Sequence, residues 1–185
     1  MKTETVFYSG NSGRAYAAQR IMKTAIVFYS MGGNTAFAAQ RIARELHADL
    51  IEIKPEKQYP DKGFRKFLWG GKSAVMAETP ALLPYDFQPE KYGQIILGFP
   101  VWAGNIAPPL RTFVRDNLAG LKDKRTAAFA CQSGAGAEKA FGKLEAALGG
   151  RALAAKLILI DPKDKPNPEN DEIIKAFCDS LKNDE

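Results

Sequence analysis

Three short segments of this 185-residue chain gather residue types suited to gripping a ligand. Ser30-Met31-Gly32-Gly33-Asn34-Thr35 combines two glycines, two hydroxyls and an asparagine, with no lysine or arginine, between an apolar run and a helical pattern. At a helix N-terminus, backbone N–H groups, hydroxyls and the helix dipole can together hold a phosphate without a side-chain cation. The same composition also suits an ordinary glycine-containing turn capped by Thr or Asn, and the loop alone does not separate the two. It has neither the Gly-Lys-Ser/Thr ending of a nucleoside-triphosphate loop nor the GxGxxG pattern of a dinucleotide turn. Pro100-Val101-Trp102-Ala103-Gly104-Asn105 sets an indole beside flexible polar backbone that can approach a planar ligand closely. Cys131-Gln132-Ser133-Gly134-Ala135-Gly136 offers small residues and backbone donors. Together the three are more specific than any one of them.

The elements that must position these loops follow from the alternation of apolar periods. Strands are predicted at Ala25–Tyr29, Leu50–Ile53, Gln94–Phe99, Thr126–Cys131 and Lys156–Ile160; four of them are nearly continuous in Val, Ile, Leu, Phe and Ala, as strands covered on both faces should be. Helices are predicted at Thr35–Leu46, Ala107–Leu118, Ala137–Leu148 and Asn170–Leu181. Pro108-Pro109 suits a first helical turn, and Gly149-Gly150 a helix stop. Strict strand–helix alternation gives an α/β fold: an open, mostly parallel, doubly wound sheet with helices on both faces. The three loops then stand outside the carboxyl ends of the strands, where such sheets bind ligands. Residues 54–92 break the rhythm; their aromatic content predicts an ordered excursion with a helix near Phe64–Ala77.

Composition bounds the rest. One domain is expected, with 45% hydrophobic residues and no apolar run near the roughly 20 residues of a membrane span. The formal charge of +5 is spread along the chain and interleaved with acids, which suits a solvated surface and not a nucleic-acid footprint. Two cysteines 47 positions apart make no disulfide framework, so free thiols in a reducing cytoplasm are expected. Met1–Ile21 and Met22–Ile42 align without gaps, with 13 identities, so residues 1–21 are a local duplication preceding a domain of residues 22–185. The first copy is either a duplication without function, an extra edge strand and helix, or a segment that swaps with a neighbouring molecule. The second copy connects directly to the rest and is expected to hold the first strand.

Lone residues carry less. His47 reads as a surface residue, Cys131 as a small core residue in preference to a redox thiol, and Cys178 as packing. Gly70-Gly71-Lys72-Ser73 imitates a nucleotide loop, but Lys66 occupies the first glycine's place and no buried strand precedes it. Arg111 and Arg115 read as a solvated face, with the steering of a nicotinamide phosphate as the alternative.

On YSMGGNT, GFPVWAGNIAPPLRTF and ACQSGAG, residues 22–182 resemble the flavodoxin family, whose members carry flavin mononucleotide (FMN). The resemblance implies a five-stranded sheet of order 2-1-3-4-5 in a three-layer α/β/α sandwich. It implies that Ser30, Met31, Gly32, Gly33, Asn34 and Thr35 take the 5′-phosphate, and that Pro100, Val101, Trp102, Ala103 and Gly104 lie along the isoalloxazine. Gln132, Ser133, Gly134 and Gly136 would meet its pyrimidine edge. No metal and no catalytic side chain is implied. The function implied is electron transfer through the flavin with a redox partner protein; the alternative is an NAD(P)H-dependent FMN reductase of quinones or other small acceptors. The chain is expected as a monomer or homodimer. Two departures stand out. The third loop lacks the second aromatic of many carriers, leaving that flavin face open or covered by Trp69, Phe64 or Tyr59, and the chain is basic where such carriers are acidic. Reduction adds negative charge, and the three loops contain no Asp or Glu to oppose it. A reduction potential less negative than that of acidic flavodoxins is therefore expected in a redox titration; an equally low value contradicts it.

Overall fold

The computed structural model describes residues 23–59 and 78–182. Five strands form one parallel sheet: β1 (Lys23–Phe28), β2 (Asp49–Glu52), β3 (Tyr92–Pro100), β4 (Arg125–Gln132) and β5 (Lys156–Ile160), in the order β2-β1-β3-β4-β5. Four helices alternate with them: α1 (Asn34–Leu46), α2 (Pro108–Leu121), α3 (Ala137–Ala147) and α4 (Glu169–Lys182). The fold class and strand order implied by the sequence are those of the structure, and the second copy of the duplication supplies β1. Residues 1–21 and the expected helix near Phe64–Ala77 lie outside the described residues.

Helices α1, α2 and α3 lie in three of the crossovers that make neighbouring strands parallel, and with α4 they cover both faces. The two-residue period then sends alternate side chains of one strand to opposite cores. On β1, Ala25 and Val27 join Ile95, Leu97 and Phe99 under α2 and α3, while Ile26 and Phe28 join Ile96 and Phe129 under α1 and α4. Ala25, Ile26 and Val27 have no exposed surface at all, which fixes β1 as the middle of the sandwich. The register pairs Phe28 with Glu52 on one side and Gly98 on the other, so the loops after β1 and β3 leave the sheet side by side.

Two glycines are explained by space. The ring of Phe129 lies over Gly98, 2.2 Å from where a Cβ would stand. Gly120 lies inside α2 and makes room for Pro89, whose ring comes within 2.7 Å of such a Cβ. Helix α2 therefore runs to Leu121, beyond the predicted Leu118. The described legs of the long excursion are pinned together by Glu56 N donating to Ala81 O (2.9 Å) and Leu83 N donating to Lys54 O (2.8 Å). The returning leg crosses α2, with Tyr85 and Phe87 packed on Phe113. No helix among the described residues is long and apolar enough to cross a membrane.

Cys131 and Cys178 are both free and buried in the core shared by α1 and α4. Burial above all pushes each thiol up to about 12. A folded-state value above the unfolded one of roughly 8.5 means that the stability these thiols contribute is complete below that pH and lost as pH rises toward 12. Urea midpoints are expected to fall between pH 9 and 11, and the double variant Cys131→Ala/Cys178→Ala should lose part of that fall; an unchanged pH profile contradicts the assignment. Gly98→Ala forces the Phe129 ring aside and is expected to cost about 1–3 kcal/mol by urea unfolding. Phe129→Leu in the same chain should recover part of it, as a double-mutant cycle can show.

Candidate functional site

Strand order reverses at β1, because β2 and β3 flank it and the chain leaves the two in opposite directions. The cleft opened there has a volume of about 360 Å³, within the range of small-molecule sites. Most of the expected residues line it: Met31, Gly32, Asn34 and Thr35 from the first loop, Pro100–Ala103 from the second, and Gln132, Ser133 and Gly134 from the third. Cys131, Ala135 and Asp161 line it as well. Ser30, Gly33, Gly104 and Gly136 stand behind this lining and shape it.

The first loop is built to leave amides free. Ser30 Oγ accepts from Gly33 N and Ala36 N, each at 3.2 Å, folding the loop back over its own hydroxyl. Gly33 caps α1 with φ +91°, in the left-handed region where a Cβ is strained. The amides of Gly32, Asn34 and Thr35 meet no protein acceptor among the described residues. They are orphan donors at a helix start, on residues that line the cleft, at the positive end of the α1 dipole. The Asn34 side chain is committed elsewhere: its Nδ2 donates to Asp164 Oδ2 at 2.7 Å, and its Oδ1 accepts from Lys163 N at 2.8 Å.

In the second loop, Trp102 and Asn105 exchange backbone hydrogen bonds of 3.1 and 2.9 Å around Ala103 and Gly104, both at positive φ. That is a type I′ turn, which suits Gly104 and strains Ala103. Asn105 braces the turn from inside, donating to Ala103 O at 2.8 Å and accepting from Lys143 Nζ of α3. The turn holds Trp102 edge-on to Tyr29 (5.8 Å) and to Tyr59 (5.2 Å). Of the three aromatics weighed for the cleft, Tyr59 thus meets Trp102, and Phe64 and Trp69 lie outside the described residues. Burial first, then Tyr59 and Glu52, push the Tyr29 hydroxyl well above its usual value, so this aromatic support stays neutral.

The third loop spends its side chains on structure and keeps its backbone for the cleft. Gln132 Oε1 accepts from Ala137 N at 2.9 Å, capping α3, and Ser133 Oγ donates to Asp161 Oδ1 at 2.7 Å. Gly136, at φ +114°, lies so close to the second loop that a Cβ would come 3.0 Å from Gly104 Cα. Asp161 is the residue that motif reading missed. It belongs to the loop after β5, and its carboxylate is bound by Ser133 and by Lys165 at 2.9 Å. The first three loops carry no carboxylate, but the cleft does, with its charge met by a lysine.

Outside the cleft, Lys143 is held below the usual lysine value by burial and by the positive charges of Lys139 and Arg111; burial lowers Arg111 likewise. Arg111 Nη1 is buried without a hydrogen-bond partner. Arg115 is exposed and bonded to Asp116 at 2.7 Å, and His47 is an exposed helix cap. No group of three His, Cys, Asp or Glu among the described residues is arranged to hold a metal ion.

Uncharged amides at a helix start, a wall of indole and small polar backbone fit an anionic ester attached to a flat ring. A flavoprotein from Lactobacillus acidophilus NCFM, solved in complex with FMN, is 23% identical over 77% of this chain and 95% of its own, with a TM-score of 0.62. A protein from Bacteroides uniformis ATCC 8492, provisionally assigned as a flavoprotein, is 22% identical over 85% of this chain and 98% of its own, with a TM-score of 0.68. Oxidised Flavodoxin 1 from Bacillus cereus is 22% identical over 87% of this chain and 98% of its own, with a TM-score of 0.51. At such identities the likeness is one of fold. No curated protein matches the chain. The family model described as Flavodoxin matches residues 23–165, most of the chain and all three loops, and the chain belongs to the flavodoxin family.

Proposed function

We propose that the chain binds FMN and passes electrons through it. The observation that carries this reading is the row of unpartnered amides at Gly32, Asn34 and Thr35 at the start of α1. A phosphate ester placed there gains several N–H donors and the field of the helix together. In this reading the first loop holds the ester. Trp102, backed by Tyr29 and Tyr59, walls the ring, and the backbone of Gln132–Gly134 faces its polar edge. Bound FMN supplies one- and two-electron redox chemistry, and the protein supplies binding, orientation and electrostatics. The burial of both free thiols suits a reducing compartment, the cytoplasm.

Two sources of electrons fit, and one observation favours the second. A carrier would meet a redox partner protein. A reductase would take electrons from NAD(P)H and pass them to a quinone or similar small acceptor. The cations Arg111, Lys139 and Lys143 raise a positive field beside the Trp102–Asn105 turn, and such a field attracts an anionic reductant.

Titration of the purified protein with FMN is expected to quench the flavin fluorescence and to show tighter binding than riboflavin, which lacks the ester. Anaerobic NADPH that bleaches the bound flavin quickly, with no other protein present, supports the reductase, and slow bleaching supports the carrier. A protein that stays colourless in excess FMN overturns the proposal.

A further inference from the structure

The loop after β5 is folded onto the first loop by hydrogen bonds to the Asn34 side chain. The Asn34 side chain uses its carbonyl and its amide group on this one partner: Oδ1 accepts from Lys163 N (2.8 Å) and Asp164 N (3.3 Å), and Nδ2 donates to Asp164 Oδ2 (2.7 Å). From the other side, Ser133 Oγ and Lys165 Nζ hold Asp161, and Asp161 N donates to Gln132 O at 3.1 Å. The segment between these anchors includes Pro162, whose fixed φ limits it further. Its geometry delivers the Lys163 side chain to Gly33. The ammonium lies 2.9 Å, and Cδ 3.2 Å, from the point where a Gly33 Cβ would stand. Gly33 is the residue between Gly32 and Asn34, both of which line the cleft. Among the described residues no carboxylate pairs with the Lys163 ammonium, whereas neighbouring Lys165 is taken by Asp161.

We propose that Lys163 supplies the positive charge of the ester site, and that Asn34 is the residue that positions it there. The inference rests on the FMN reading above and deepens it. The site is then not purely neutral: main-chain amides of the first loop give direction, and one ammonium from the loop after β5 gives charge. A dianionic ester draws on both, and a flavin without the ester draws on neither. Discrimination between FMN and riboflavin thus depends on a residue about 130 positions from the first loop in sequence. The absence of Cβ at Gly33 has a second purpose here, because a side chain would occupy the place of the ammonium.

The test is the affinity of the full chain for FMN and for riboflavin, at low and at high salt, in the parent and in Lys163→Gln, Lys163→Arg and Asn34→Ala. Lys163→Gln is expected to weaken FMN about fivefold or more at low salt, to flatten the salt dependence of FMN binding, and to leave riboflavin affinity as it was. Lys163→Arg should keep the preference for FMN. Asn34→Ala should lose part of that preference in the parent and much less of it in the Lys163→Gln background, since it acts through the lysine. Equal FMN affinity and equal salt dependence in parent and Lys163→Gln overturn the inference. So does an equal loss for both flavins, which marks a loop that only packs. A parent that binds no FMN at all refutes the FMN reading itself, and the role of Lys163 falls with it.

Discussion

Three backbone amides at the start of α1 have no acceptor within the described protein, and the rest of the architecture keeps them so. Buried or half-buried N–H groups are seldom left unpaired, and a helix start ordinarily satisfies them with a side chain or with water. Here the Ser30 hydroxyl is turned under the loop to hold Gly33 and Ala36, and the Asn34 side chain is turned to the loop after β5. The donors that remain face a cleft bounded by an indole. β1 fixes their place, since its side chains fill both cores and leave α1 a single line of departure.

The walls of the cleft are tied to one another by side chains. Asn105 bonds to Lys143, Gln132 caps α3, Ser133 holds Asp161, and Asn34 holds Asp164. Three of these ties cross between connections and the Gln132 cap acts within its own, so the polar side chains of the four loops are spent on geometry. That leaves main-chain groups and small residues to give a ligand its direction, an arrangement that pre-organises the site, while the charge proposed for Lys163 comes from the loop after β5.

The sheet was legible in the sequence because strands covered on both faces read as unbroken apolar runs, and a run such as Ala25–Tyr29 has no other place to go. Ends were less legible. The helix predicted to end at Leu118 runs on to Leu121 past Gly120, which answers to Pro89, a neighbour that sequence alone does not reveal. In the site, the loops rich in Gly, Ser, Asn and Trp announce themselves by local composition. Asp161-Pro162-Lys163-Asp164-Lys165 looks instead like a solvated turn. It reaches the cleft because α4 packs beside α1 on the same face, which carries the chain from β5 toward the start of α1. Nor could composition show that the asparagine of the first loop faces its neighbour with its side chain while its amide faces the cleft.

The central claim is that the amides opening α1 grip a phosphate ester. Backbone amide NMR during titration of the labelled protein tests it most directly, with FMN and riboflavin compared at equal saturation. The account predicts that the N–H resonances of Gly32, Asn34 and Thr35 move strongly downfield with FMN and little with riboflavin, as donors newly bonded to a charged oxygen do. Resonances of those three residues that stay in place while FMN binds would contradict it.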